Sequence, residues 1–496
     1  MTKKYVTDLV VVGAGTSGCI CAIAAARSGL KTILVEKTGM IGGVPASTLM
    51  GSFANLMVNT KFKRMIGGII KELIERIVDM EGTPYKLSED AILGKIGKPF
   101  TIPFQPVWYS QAILEMLEQA GVILFLNSTF ISGKKKSDEE NCLKFISGTQ
   151  EFLVNAKVVV DATGNADVAK ALGAEIRNLS NTTYGCLMRI GNVNIDKMIG
   201  YIKERRPWEE NPDYETWLRE AADIHEGEPI RRLEHLVDPL SYDHAPMEDL
   251  SDRKMNQKKW DYIEERYDTE HIVYTLELSL IRDFIKEATN NGDFILDKKI
   301  DSTRGVTFNG DGIAYGGWGE GIALCNVAKP YGFNTTDVEE TTQATILAHK
   351  YNVMFFRFLK KYVPGFEDSY LLDMGAQTIP RAGQMIIGCD DQESYQENEL
   401  YKEPIYIFGG LYGHQLGVPV LYGKIVCKNL TNVFSVGKGS SHGEKYRSQI
   451  SCMSMGVAAA AAAKVICKEK CNSHTVKPIS LRKQLRSMGV VLEGGK

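Results

Sequence analysis

The chain has 496 residues, of which 44% are hydrophobic and 24% charged, and its formal net charge is −3. That length admits two or three domains with a large core. The near balance of charge, without a long basic block, argues against a nucleic-acid partner.

In chain order, residues 9–12 read as a buried strand. Gly13, Ala14, Gly15, Thr16, Ser17 and Gly18 then turn the chain into an apolar helix over 19–28, and a second strand over 32–35 ends at Glu36 and Lys37. This is the βαβ dinucleotide fingerprint. Gly13 makes the turn, Gly15 admits a pyrophosphate against the backbone, and Gly18 allows close helix packing. The helix N-terminus presents free N–H groups and the positive end of its dipole. Glu36 is placed for a ribose hydroxyl. A second glycine loop follows, with Gly42, Gly43 and Ser47, and its glycines again permit close approach to a ligand.

Helical spacing of apolar residues predicts an amphipathic helix over 61–80. Residues 81–104 read as a loop. A helix over 107–119 stops at Gly121, and a strand covers 122–126. Residues 129–133, 142–147 and 151–155 predict a small antiparallel sheet, and 157–161 a separate buried strand entering a turn at Ala162-Thr163-Gly164. Helical runs at 195–206, 213–223 and 252–291 suggest a second domain, followed by glycine-rich hairpins over 301–335 and a long helix over 336–362. A strand at 432–436 ends at Gly437, and an alanine-rich helix covers 453–467.

The ten cysteines lack C-x-x-C spacing, which fits reduced, buried thiols and no metal site. The longest apolar stretch, 456–467, is about half of what a bilayer needs. With no leader before the first strand, the expectation is a cytoplasmic protein without a membrane span.

Five stretches, 8–18 with 35–37, 39–47, 159–169, 379–388 and 432–463, together resemble flavin-dependent oxidoreductases related to the fumarate reductase and succinate dehydrogenase flavoproteins. The resemblance implies an α/β fold: a Rossmann-like, three-layer FAD-binding domain from 1–190 and 375–496, with an inserted α+β cap or substrate domain at 191–374. It implies FAD, expected to be non-covalent because the histidine that carries it in succinate dehydrogenases has no counterpart around Pro45 to Leu49, with Ala162, Thr163 and Gly164 over its adenosine–pyrophosphate side. The backbone at Thr129-Phe130 would pair with adenine, and Gly42, Gly43 and Ser47 would lie along the pyrophosphate toward the flavin. Gly437 and a helix start at Met455, Gly456 and Val457 would sit under the pyrimidine ring. The chain departs from the family at Asn165, where Gly-Asp usually follows Ala-Thr-Gly, and at Lys438, where arginine is usual.

The resemblance also directs attention to Arg381, able to clamp a carboxylate, and to His442, Tyr446 and Arg447 in the loop before the alanine helix. His442 is the best-placed acid or base. Tyr412, His414, Arg304, Tyr315 and Trp318 are further pocket candidates, whereas His225, His235, His244 and His271 read as surface or core residues. The implied function is hydride transfer between flavin and a small polar substrate, such as one bearing a carboxylate, with an unidentified electron donor or acceptor. The alternatives are a flavin monooxygenase on the same scaffold, a flavin-binding subunit without catalysis, and an NAD enzyme without flavin.

Overall fold

The computed structural model describes residues 2–53, 66–82, 102–137, 140–179, 182–204, 273–276, 281–295, 297, 299–300, 306–309, 321–391, 398–408, 418–441 and 448–492. The first sheet begins with β1 (Lys3–Val12) and β2 (Thr32–Val35); β3 (Ser52–Phe53) and β4 (Ile102–Pro103) form a short pair outside it. It continues with β5 (Ile123–Phe125), β6 (Thr129–Ser137), β7 (Glu140–Ser147) and β8 (Gln150–Asp161). Its order is β5-β2-β1-β8-β7-β6, and β19 (Val433–Ser435) also pairs with β8. β5, β2, β1, β8 and β19 run parallel, whereas β7 and β6 form an antiparallel meander.

Three layers follow from side-chain alternation. Leu9, Val11, Leu34, Val158 and Val160 pack under the helices Thr16–Arg27, Gly68–Asp79, Pro106–Ala120 and Gln449–Glu469. Val10, Val12, Ile33, Val35 and Val159 meet the meander residues Leu143, Phe145 and Phe152 on the other side. A parallel sheet covered on both faces needs apolar residues at every position, which is what these strands carry.

The second sheet has the order β11-β12-β13-β10-β14. Its strands are β10 (Tyr184–Gly191), β11 (Val273–Leu276), β12 (Val306–Asn309), β13 (Ala323–Ala328) and β14 (Tyr370–Met374), with β15 (Ile379–Pro380) also beside β10. Strands β9 (Ile176–Asn178) and β16 (Gln384–Ile386) pair separately, as do β17 (Pro404–Phe408) and β18 (Val418–Leu421). One face of the second sheet packs on the 25-residue helix Val338–Tyr362 through Met188, Cys325, Phe355 and Phe358. Asp337 caps that helix by accepting from the Glu339 and Glu340 N–H groups, both at 2.9 Å, as the acidic cluster predicts.

Three expectations change. Residues 151–155 and 157–161 are one strand, because β1 pairs with β8 from Lys3 to Val12. The run 252–291 is not one helix: its described part holds β11, paired with β12, and the helix Arg282–Asn290. Tyr184–Gly191 lies in the second sheet between β13 and β14. The alanine helix begins at Gln449 and has 21 residues. Among the described residues it is the one helix long and apolar enough to cross a membrane, and 83% of its apolar window is buried inside the fold. All ten cysteines are free thiols.

The first helix and the alanine helix meet at Gly456, where a Cβ would lie 2.3 Å from the Ser17 carbonyl oxygen. Gly456→Ala is expected to lower unfolding free energy by about 1–3 kcal/mol through overpacking. Urea unfolding tests this; an unchanged midpoint would rule out that contact.

Candidate functional site

The two glycine loops form one cradle. Gly13 follows β1 with φ +105°, and its Cβ would lie 2.4 Å from the Ala162 carbonyl oxygen; a Cβ on Gly18 would lie 1.9 Å from the Gly13 carbonyl oxygen. Backbone crowding therefore requires both glycines. Gly15 differs: its φ is −74°, and its Cβ position meets no described atom within 4 Å. No side chain caps the helix behind it. Open space in front of first-turn N–H groups suits an anion.

The second loop lies on the first. The Gly42 N–H donates to the Ala14 carbonyl (2.9 Å), and Thr16 Oγ donates to the Gly42 carbonyl (3.3 Å). A Cβ on Gly43 would lie 2.7 Å from Gly15 Cα, and one on Gly42 2.6 Å from the Tyr109 ring. Buried Tyr109 donates to Thr16 Oγ at 3.1 Å, and Ser110 Oγ to the Ile41 carbonyl at 2.9 Å. Tyr109 carries no sequence signal for this role, because its partner lies 93 positions away.

Glu36 is oriented by the cradle. Its Oε2 accepts the Ala14 N–H at 2.8 Å, and its Oε1 accepts the Thr38 N–H and hydroxyl, both at 2.9 Å. Each carboxylate oxygen has two acceptor sites, so Oε2 keeps capacity for one ribose hydroxyl. Lys37 beside it is exposed. The Ser128 N–H donates to the Glu36 carbonyl at 2.9 Å, which sets the start of edge strand β6, with Phe130, next to Glu36. Ser47 is buried, and its hydroxyl has no hydrogen-bond partner among the described residues; a bound group would satisfy it.

Asp161 builds the third wall. Its Oδ1 accepts the Thr163 N–H (2.9 Å) and hydroxyl (2.7 Å), and its Oδ2 accepts the Ala169 N–H (2.8 Å). Burial raises its carboxyl above the ordinary value, while these donors act in the opposite direction. The turn Ala162-Thr163-Gly164, with φ +78° at Gly164, is thereby held against Gly13. Asn165 uses both ends of its amide: Oδ1 accepts the Gln384 N–H at 2.9 Å, and Nδ2 donates to Asp167 at 3.3 Å. An aspartate there would face the Asp167 carboxylate instead.

The Val436 N–H donates to the Asp161 carbonyl at 2.9 Å. Strand β19 thus delivers Gly437 (φ +67°), whose Cβ would lie 2.6 Å from Ser17 Oγ. Lys438 is partly buried, with its ammonium donating to the Pro380 carbonyl at 2.9 Å. The alanine helix starts after Ser448, which caps it through the Ser451 N–H. Met455, Gly456 and Val457 therefore lie nearly two turns inside the helix and are buried. Gly456 packs on Ser17 and Cys21. The expected helix start at these three residues is corrected to Gln449.

Arg381 follows β15, and its N–H donates to the Thr183 carbonyl at 2.8 Å. It lies one residue from the carbonyl that holds Lys438. Gly375 and Gln377 bring the same segment to the second glycine loop: the Gln377 N–H donates to the Ser47 carbonyl at 3.1 Å. Ser441 Oγ donates to Asp390 (2.6 Å), and Lys424 also pairs with that carboxylate. His442, Tyr446 and Arg447 lie outside the described residues, as do Arg304, Tyr315, Trp318, Tyr412, His414, His225, His235, His244 and His271. Among the described residues no cluster of His, Cys, Asp or Glu could hold a metal.

A family model described as FAD dependent oxidoreductase matches residues 8–388. The chain belongs to this family. FAD is the cofactor of this oxidoreductase, and the open Gly15 cradle, the oriented Glu36 and the orphan Ser47 hydroxyl fit it. Over 94 residues the oxidoreductase is 34% identical to a urocanate reductase of Eggerthella lenta, covering 18% of this chain and 13% of that protein. Over 159 residues it is 26% identical to a ferredoxin–NADP reductase of Mycoplasmoides gallisepticum, covering 32% and 36%. The chain thus spans well under half the length of these relatives.

Among solved structures, a flavin-dependent halogenase shares 8% identity (TM-score 0.46; 98% of this chain, 62% of that one). A p-nitrophenol 4-monooxygenase from Pseudomonas putida shares 9% (TM-score 0.43; 97% and 84%).

Asn165→Asp is expected to cost about 0.5–1.5 kcal/mol near neutral pH. The new carboxylate faces Asp167, so its folded-state pKa rises and the loss fades as the pH falls through that value. Thermal unfolding of variant and parent across pH 3–7 tests this. A gap that does not narrow in acid would contradict the Asp167 pairing.

Proposed function

We propose that this FAD-dependent oxidoreductase transfers a hydride to or from a small polar substrate carrying an anionic group. In this reading residues 191–374 form a cap over the cofactor unit of 1–190 and 375–496. The kinship with the fumarate reductase flavoproteins, suggested by the motifs at 159–169 and 432–463, belongs to the same reading.

The observation that carries it is the register around β10. Thr183 bridges Tyr331, and the Arg381 N–H bonds Thr183 on the other side. Gly185 pairs with Ile379 one step along. Laterally paired residues share a face, so Thr183, Gly185 and Arg381 lie on one side of the sheet. The other side, with Tyr184 and Cys186, is covered by the helix Val338–Tyr362: Tyr184 packs with Ala344, and Asn352 donates to the Cys186 carbonyl. Thr183, Gly185 and the segment 376–381 stay partly or fully exposed. They form a polar strip whose near end touches Ser47 and Thr48.

FAD, when bound, supplies the two-electron redox chemistry. The chain's task is to bind and orient. Arg381 offers a fixed, always-charged fork for a carboxylate, and the crowded backbone of the glycine cradle keeps water from the cofactor's flank. His442 and Tyr446 are the proposed acid–base groups, and Arg447 a second cation.

Purified protein is expected to be yellow, with flavin bands that bleach under anaerobic reductant. A folded, colourless protein that cannot be reconstituted with FAD would refute the reading. Once a substrate is found by reoxidation of the reduced flavin, Arg381→Met should weaken its binding about 10–100-fold, the loss of one charged hydrogen bond. The flavin spectrum should not change. An unaltered KM would remove Arg381 from the substrate site.

A further inference from the structure

Lys438 is a cation without an assigned task, and its surroundings point to one. It follows Gly437, which sits on Ser17 in the first turn of the first helix. Its Cε lies 3.5 Å from where a Gly164 Cβ would be, so the side chain runs along the Ala162–Gly164 turn at van der Waals distance. Its ammonium rests on the Pro380 carbonyl at 2.9 Å. Lys438 thus stands where the helix N-terminus, the Ala162–Gly164 turn and the strand leading to Arg381 converge.

The charged groups around it come from four elements. Lys37 stands after β2, Asp167 opens the short helix after the turn, Cys452 belongs to the alanine helix, and Arg381 follows the Pro380 carbonyl. Burial is the main influence and lowers the Lys438 ammonium to about 8; Asp167 and Cys452 act to raise it, and Lys37 to lower it further. A desolvated cation, a second cation and the positive end of a helix dipole are opposed locally by the Asp167 carboxylate. That arrangement is costly until an anion joins it.

We propose that Lys438 supplies the counter-charge for the diphosphate of FAD and, through its bond to Pro380, links occupation of the cradle to the setting of the strand that carries Arg381. This rests on FAD being the cofactor. An anion beside the ammonium favours its charged form. FAD therefore binds the protonated form better, and its affinity falls as the pH rises through the ligand-free value.

The test is the Kd of FAD for apoprotein, read from flavin fluorescence between pH 6.5 and 9.5. The parent should weaken about tenfold across that range, as expected if FAD raises the lysine pKa by at least one unit. Lys438→Arg should bind tightly with no inflection. Lys438→Met should bind about 10–100-fold more weakly at pH 7, the loss of a charged contact, and also show no inflection. Cys452→Ser should retain an inflection, moved to slightly lower pH, and Lys37→Met should move it to higher pH. ADP as competitor should share the pH dependence, and riboflavin, which lacks phosphate, should not.

The melting temperature of each apoprotein separates misfolding from lost binding. A flat parent profile, a Lys438→Met variant that binds like the parent at pH 7, or an inflection shared by riboflavin would each overturn the assignment. Tight, pH-independent FAD binding would do so while leaving the cofactor reading intact. Absence of FAD binding at every pH would contradict both.

Discussion

The fold depends on how closely backbone can approach the first turn of one helix. Gly13 and Gly18 crowd the Ala162 turn, Gly43 lies against Gly15, and Gly437 and Gly456 lie against Ser17. At five of these positions a Cβ would come within 3 Å of a neighbouring atom, a separation side chains do not tolerate. Segments from four distant parts of the sequence thereby meet at a single turn. At these five positions the cradle for the cofactor and the packing centre of the domain coincide, whereas Gly15 belongs to the cradle without being packed.

From that point the structure extends toward the substrate side by polar links rather than by a continuous core. The apolar clusters under the first sheet and around the second are distinct. Asn165 to Gln384, Lys438 to Pro380 and Gln377 to Ser47 tie the segment 375–384 to the cofactor loops. Each is a hydrogen bond worth about 0.5–3 kcal/mol. Links of this size fix the register of Arg381 while leaving the cap a separate packing unit.

What the sequence made legible was what backbone geometry demands. The fingerprint, the second glycine loop, the Ala162-Thr163-Gly164 turn and Gly437 could be read because a positive φ or a close approach leaves glycine as the residue that fits. The structure also reassigns causes: Gly42 and Gly43 answer to Tyr109 and Gly15, and among the glycines of the two loops Gly13, Gly15, Gly18, Gly42 and Gly43 it is Gly15 that faces open space. Asp161, Tyr109 and the partners of Asn165 were not legible, since their meaning depends on residues brought near only by folding. The start of the alanine helix was misplaced because Ser448 caps it outside the alanine run. The strand in 273–276 was hidden within a charged run of helical texture, its pairing with 306–309 being tertiary.

The most direct measurement is FAD binding by a Gly15→Val variant. The backbone at Gly15 is extended and its Cβ position touches no described atom, so valine should leave the unfolding midpoint of the apoprotein near that of the parent. It would fill the space in front of the helix N-terminus. Intact folding with FAD binding abolished is the expected result; a folded variant that binds FAD as the parent does would contradict the placement of the cofactor at this cradle.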